Sequence, residues 1–144
     1  MPILVVGADH PIGFRIVEAL VHPDREVRAF VSDPAIGTRI KSLGAKLAIG
    51  DLSDEGHLSA AATNCFSIAF VEPAITDGRE LSFLNATEIP ASWARAAAEA
   101  RVMRVIWVGE AAPSFSVKEV ATVDTSDQSL VAAEVARLDD LQRL

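Results

Sequence analysis

Tyrosine is absent from all 144 residues, so no phenol is available in this chain as a proton donor. Cysteine occurs once, as Cys65, which excludes an internal disulfide and fits a reducing compartment. Basic residues are few and scattered: 13 Lys and Arg stand against 20 Asp and Glu, a net charge of −7. A nucleic-acid partner favours a basic face, and none is written here. No apolar run approaches the ~20 residues of a membrane span. No leader precedes the first apolar run at Ile3, so the expected address is cytoplasmic. His10, His22 and His57 fall on separate predicted elements without paired ligand spacing, so no metal site is expected. A serine-hydrolase elbow, Gly-x-Ser-x-Gly, is also missing.

Half of the residues are apolar, which places the chain among ordinary globular proteins. Its length suits one domain, residues 1–144, with a core that needs no staples. The densest signal is Ile3 to Gly13, ILVVGADHPIG. An apolar run meets a glycine, crosses a tight polar turn and enters an amphipathic segment at Pro11. That pattern predicts a buried strand, a sharp turn and a helix N-terminus, which together present main-chain N–H groups to a phosphate.

The rest of the chain alternates regularly. Strands are predicted at Ile3–Val6, Val27–Val31, Lys46–Ile49, Ser67–Val71 and Val102–Val108. Helices are predicted at Pro11–Val21, Ile36–Leu43, from Ser53-Asp54-Glu55 onward, at Pro90–Ala100 and at Asp127–Leu144, the last capped by Ser126. A short helical stretch is expected near Leu81–Leu84, and Gly109–Thr125 has room for one more short strand. Strands alternating with helices over short loops imply parallel strands joined by right-handed crossovers. The expected fold is α/β: a Rossmann-like, doubly wound parallel sheet of about five strands, order 3-2-1-4-5, in three α/β/α layers. Its ligand crevice lies at the switch point beside strands 1 and 4.

Three features sit where a dinucleotide site needs them. The first is the turn itself, Gly7 to Gly13, with Asp9, His10, Pro11 and Ile12 between the glycines. The second is the end of strand 2, where Ser32 or Asp33 can accept from an adenosine ribose, or else supplies only turn chemistry. The third is Gly50-Asp51-Leu52 after strand 3. There Asp51 can accept from an adenine amino group while Leu52 covers the ring, or else it serves to start the next helix.

The segments VVGADHPIG, VRAFVSDP, LGAKLAIGDLSD and ARVMRVIWVG resemble the strand-end motifs of atypical and extended short-chain dehydrogenase/reductases. The NmrA-like and sugar-epimerase-like branches are the most similar, from Ile3 to about Gly109. The resemblance implies that the Gly turn holds a pyrophosphate, that Ser32 and Asp33 select the cofactor, and that Asp51 and Leu52 bracket the adenine. Many NmrA-like relatives carry arginine where Ser32 stands. Its absence tilts the cofactor, NAD or NADP, toward NAD.

The pattern breaks in four places. His10 replaces the middle glycine of the turn, where it either crowds the pyrophosphate, donates to it, or bends into solvent. The family's tyrosine, four residues before a lysine, is not in this chain, so no catalytic residue is assigned. The chain stops where relatives continue into a substrate lobe. The loop after strand 4 carries Glu72, Asp77, Arg79 and Glu80, read either as facing a nicotinamide or as a solvated loop, and Asn85 beyond it has no assigned role. The resulting expectation is a dinucleotide-binding protein without the Tyr-Lys pair, cofactor-responsive or a degenerate oxidoreductase. Its alternatives are an oxidoreductase passing hydride directly to a flavin, quinone or small carbonyl, and a scaffold without nucleotide that dimerises through the last helix.

Overall fold

The computed structural model describes residues 2–75 and 87–141. Six strands form one all-parallel sheet in the order β3-β2-β1-β4-β5-β6: β1 (Ile3–Val6), β2 (Val27–Val31), β3 (Lys46–Ile49), β4 (Ser67–Val71), β5 (Arg104–Val108) and β6 (Glu119–Val123). Every residue of β1, β4 and β5 is buried, because helices cover both faces of a parallel sheet. The helices are α1 (Pro11–Leu20), α2 (Pro34–Ser42), α3 (Glu55–Ala61), α4 (Ile89–Ala100) and α5 (Gln128–Asp139). Helices α1 and α5 pack on each other, and α3 packs on α4. Arg39 of α2 lies over the Phe14 ring of α1, 4.9 Å from its centroid.

The expected order is observed, with one strand added outside β5. The sequence EVATV reads weakly as a strand because β6 is an edge, alternating between half-buried and exposed positions rather than apolar throughout. Boundaries shift where caps decide them. Asp33 caps α2, so the helix starts at Pro34 rather than Ile36. The cap of α5 is Asp127 rather than Ser126, its carboxylate accepting from the Ser129 amide. Arg101 closes α4 in the left-handed conformation, φ 59°, and β5 begins at Arg104 rather than Val102. The stretch Leu81–Leu84, the loop residues Asp77, Gly78, Arg79 and Glu80, and Asn85 lie outside the described residues.

Helix-free chain crosses from β5 to β6 through residues 109–118. A parallel crossover usually carries a helix whose apolar stripe covers the sheet. Here Phe115 does that work, stacked on Phe70 at 5.9 Å and against Trp107 at 5.9 Å. Trp93 stacks on the other side of Phe70, 5.0 Å between centroids. Both indoles are fully buried, and each N–H has an acceptor: Leu52 O for Trp93, and the Glu72 carboxylate for Trp107. Cys65 is also buried, and desolvation pushes its thiol up to about 11, so it behaves as an apolar side chain.

Among the described residues, one charged side chain, Arg104, is fully buried. Arg104 donates to Glu119 Oε1 at 2.8 Å, to the Leu138 carbonyl at 2.8 Å and to the Leu141 carbonyl, with its guanidinium 5.1 Å above the Phe66 ring. It thereby supplies donors to the carbonyl end of α5, where a cation also complements the helix dipole. Replacing it by methionine, Arg104→Met, orphans these acceptors. Because Glu119 keeps some solvent, the expected loss is about 3 kcal/mol, toward the low end for a broken buried pair, read as a lower urea midpoint.

Candidate functional site

The strand-1 turn is built around two glycines. Gly7 takes φ +88°, and a side chain on it would lie 2.6 Å from the Ala74 Cβ. A Cβ on Gly13 would sit 2.2 Å from the Gly7 carbonyl, so α1 begins pressed against the turn. Asp9 and His10 therefore lie between β1 and α1, with Pro11 and Ile12 in its first turn, at the carboxyl edge of the sheet.

Several amides of this turn are engaged within the chain. Gly7 N–H donates to the Phe30 carbonyl at 3.1 Å, His10 N–H to the Gly7 carbonyl at 3.1 Å, and Pro11 has no N–H. The His10 ring has a role the sequence did not suggest. It folds onto the helix as its N-cap, Nδ1 accepting from Ile12 N–H at 3.1 Å. A histidine thus performs the capping usually done by Ser, Asp or Asn, and holds a donor that a phosphate would otherwise take.

The acids at the next strand ends behave alike. Asp9 Oδ2 accepts from Ser32 N–H at 3.0 Å, Ser32 Oγ at 3.1 Å and Asp33 N–H at 3.0 Å. Asp33 Oδ1 caps α2 through Ala35 N–H at 2.9 Å. Asp51 Oδ1 accepts from Ser53 N–H at 2.7 Å and from its hydroxyl. Turn and capping chemistry at Asp33 and Asp51 is therefore present, and each keeps a second oxygen without a hydrogen bond among the described residues. Leu52 is core, 5% exposed, with its carbonyl held by Trp93. His57 fills the space over Gly50, edge-on to Phe30 at 4.9 Å.

Glu72, at the end of β4, has a role that its place in a charged loop did not reveal. Its Oε1 accepts from Trp107 Nε1 at 2.9 Å, Glu110 N–H at 2.8 Å and Ala111 N–H at 2.9 Å. The signal was the pairing of a glutamate with an indole on the neighbouring strand, which only the β4–β5 register places together. Beside it lies a cleft of about 170 Å³ lined by Glu72, Pro73, Gly109, Glu110 and Thr125. A larger cleft, about 530 Å³, lies at the opposite edge of the sheet. There Arg25 donates to the Leu20 carbonyl at 2.8 Å and pairs with Asp139 at 3.1 Å, joining the ends of α1 and α5. Burial holds the Asp139 carboxyl above the usual range, against the pull of Arg25.

The strand-end segments 7–13, 32–33, 50–54, 72–75 and 109–117 contain no Lys or Arg. These segments carry Asp9, Asp33, Asp51, Asp54, Glu72 and Glu110, so their formal charge is negative. Among the described residues no His, Cys, Asp or Glu group is arranged to hold a metal, and no helix is long and apolar enough to cross a membrane.

No family model and no curated protein matches the sequence. Solved structures do match the fold. A triphenylmethane reductase from Citrobacter sp., complexed with NADP(H), superposes with a TM-score of 0.63 at 18% identity, covering 98% of this chain and 47% of that one. A NADPH-dependent quinone oxidoreductase from Escherichia coli, complexed with NADPH, gives 0.60 at 19% identity, over 74% of this chain and 36% of that one. A nucleoside-diphosphate-sugar epimerase from Pseudomonas aeruginosa gives 0.60 at 18% identity, over 76% and 33%. The chain thus spans less than half the length of these structures.

Removing the Glu72 carboxylate, Glu72→Ala, leaves a buried indole N–H and two amides without their acceptor. The expected cost is about 2 kcal/mol, seen as a lower denaturation midpoint together with a changed tryptophan emission spectrum. In architecture and strand order the chain has a Rossmann-type fold, the fold it shares with the reductases and the epimerase above.

Proposed function

We propose that this chain binds a nicotinamide dinucleotide and, having no tyrosine, uses it without the Tyr-Lys pair, as a cofactor-responsive binding unit or a degenerate oxidoreductase. The observation that carries the reading is the Gly7–Gly13 turn. Its geometry excludes a side chain at Gly13, and it opens α1 at the switch point of a fold shared over 98% of the chain with a NADP(H)-complexed reductase.

In this reading the pyrophosphate lies over Gly7–Gly13, and the His10 ring leaves Ile12 N–H to make room for it. Asp9, Pro11 and Ile12 shape that loop. Ser32 and Asp33 face the adenosine ribose, and the second oxygen of Asp51 accepts from the adenine amino group above Leu52. The nicotinamide end points toward β4 and β5, beside Glu72.

A second reading draws on the cleft of about 170 Å³ beside Glu72 at that end. Hydride passed straight to a flavin, quinone or small carbonyl acceptor needs positioning more than a side-chain acid. Turnover of a dye acceptor with NADH or NADPH, abolished by Gly7→Val, distinguishes a working oxidoreductase from a binding unit.

Because His10 must be displaced, the unmodified chain should bind weakly. Calorimetry with NAD⁺ and NADH is expected to give millimolar or slightly tighter affinity. The variant His10→Gly should bind about tenfold tighter, since a freed amide then bonds to a charged oxygen, while losing about 1 kcal/mol of stability with the cap. Absence of heat for both proteins at millimolar ligand overturns the reading.

A further inference from the structure

We propose that Asp9 is the residue that selects the cofactor: its carboxylate occupies the place that a 2′-phosphate on the adenosine ribose would need, so the site takes NAD(H) and rejects NADP(H). This rests on the dinucleotide reading above and sharpens it. One oxygen of Asp9 gathers three donors, the consecutive amides of Ser32 and Asp33 at 3.0 Å each and the Ser32 hydroxyl at 3.1 Å. Successive main-chain N–H groups converging with a hydroxyl make a concavity that suits an anion. The chain fills it from the neighbouring turn. The β1–β2 register, Val6 beside Phe30, is what brings Asp9 to the exit of β2.

Two further features act in the same sense. Asp33 is the N-cap of α2, so a second carboxylate stands in the same turn and can accept from a ribose hydroxyl. Neither the Gly turn, residues 7–13, nor the strand ends at 32–33 and 50–54 contain Lys or Arg to meet added negative charge. A 2′-phosphate would find its donors taken and two carboxylates facing it, whereas a 2′-hydroxyl loses nothing. The contrast lies within one fold, because two of the similar structures are complexes with NADPH and NADP(H).

The test compares the unmodified chain with Asp9→Ala and Asp9→Asn by calorimetry, using NAD⁺, NADP⁺, ADP and 2′,5′-ADP. The unmodified chain should prefer NAD⁺ over NADP⁺ by about tenfold or more. Asp9→Ala should shift the ratio of NADP⁺ to NAD⁺ affinity by about tenfold or more toward NADP⁺, with the same shift for 2′,5′-ADP against ADP. Asp9→Asn keeps an acceptor for the three donors while removing the charge. It should shift both ratios in the same direction, and it serves if melting shows the alanine variant unfolded. Equal affinity of the unmodified chain for NAD⁺ and NADP⁺, or unchanged ratios in a folded variant, overturns the proposal while leaving dinucleotide binding intact. Failure of the unmodified chain and of His10→Gly to bind either ADP or NAD⁺ overturns both.

Discussion

Main-chain N–H groups at the carboxyl ends of parallel strands need acceptors, and in this chain acids from adjacent turns provide them. Asp9 serves the exit of β2, Asp51 the turn after β3, and Glu72 the exit of β5, while Asp33, Asp54 and Asp127 cap the helices that follow. His10 does the same for α1. Each contact satisfies a donor that would be costly to leave unpaired. Together they tie strand end to strand end along the edge where a ligand of this fold would lie. The result is an ordered strand-end edge at which several donors already have internal acceptors.

The other half of the molecule is shaped by a missing helix. Residues 109–118 carry the chain from β5 to β6 without one, and an aromatic group covers the sheet instead: Phe70, Trp93, Trp107 and Phe115. Aromatic rings bury large apolar areas with few residues, which lets a short loop replace a helical stripe. Glu72 anchors that loop through Glu110 and Ala111, and Arg104 fastens α5 to the opposite face. Glu72 thus fixes the loop that carries Phe115 and the indole of Trp107.

Much of this was legible in the residues. Continuous apolar runs marked β1, β4 and β5 because those strands are covered on both faces, and glycines at 7 and 13 marked the turn because no Cβ fits there. The strand β6 was only faintly visible, since EVATV belongs to a half-covered edge. Asp33 and Asp51 were correctly seen as polar strand-end residues, but spacing cannot tell a cap from a ribose or adenine acceptor: both uses want a carboxylate at the same place. Leu52 is packed against the core, with Trp93 drawing its carbonyl inward, a tie to α4 that no local pattern shows.

Periodicity and glycine placement are local properties, so the chain alone determined the alternation of elements, the parallel sheet and the turn that opens α1. The absence of tyrosine was likewise decided at the level of composition. Which acid meets which amide was decided only by the tertiary structure. Asp9 with Ser32, Glu72 with Trp107 and Arg104 with the end of α5 are separated by 23, 35 and 34 positions. Such pairs come into hydrogen-bond range only when strand register and crossover hand bring distant turns to one edge, and no local pattern records that distance.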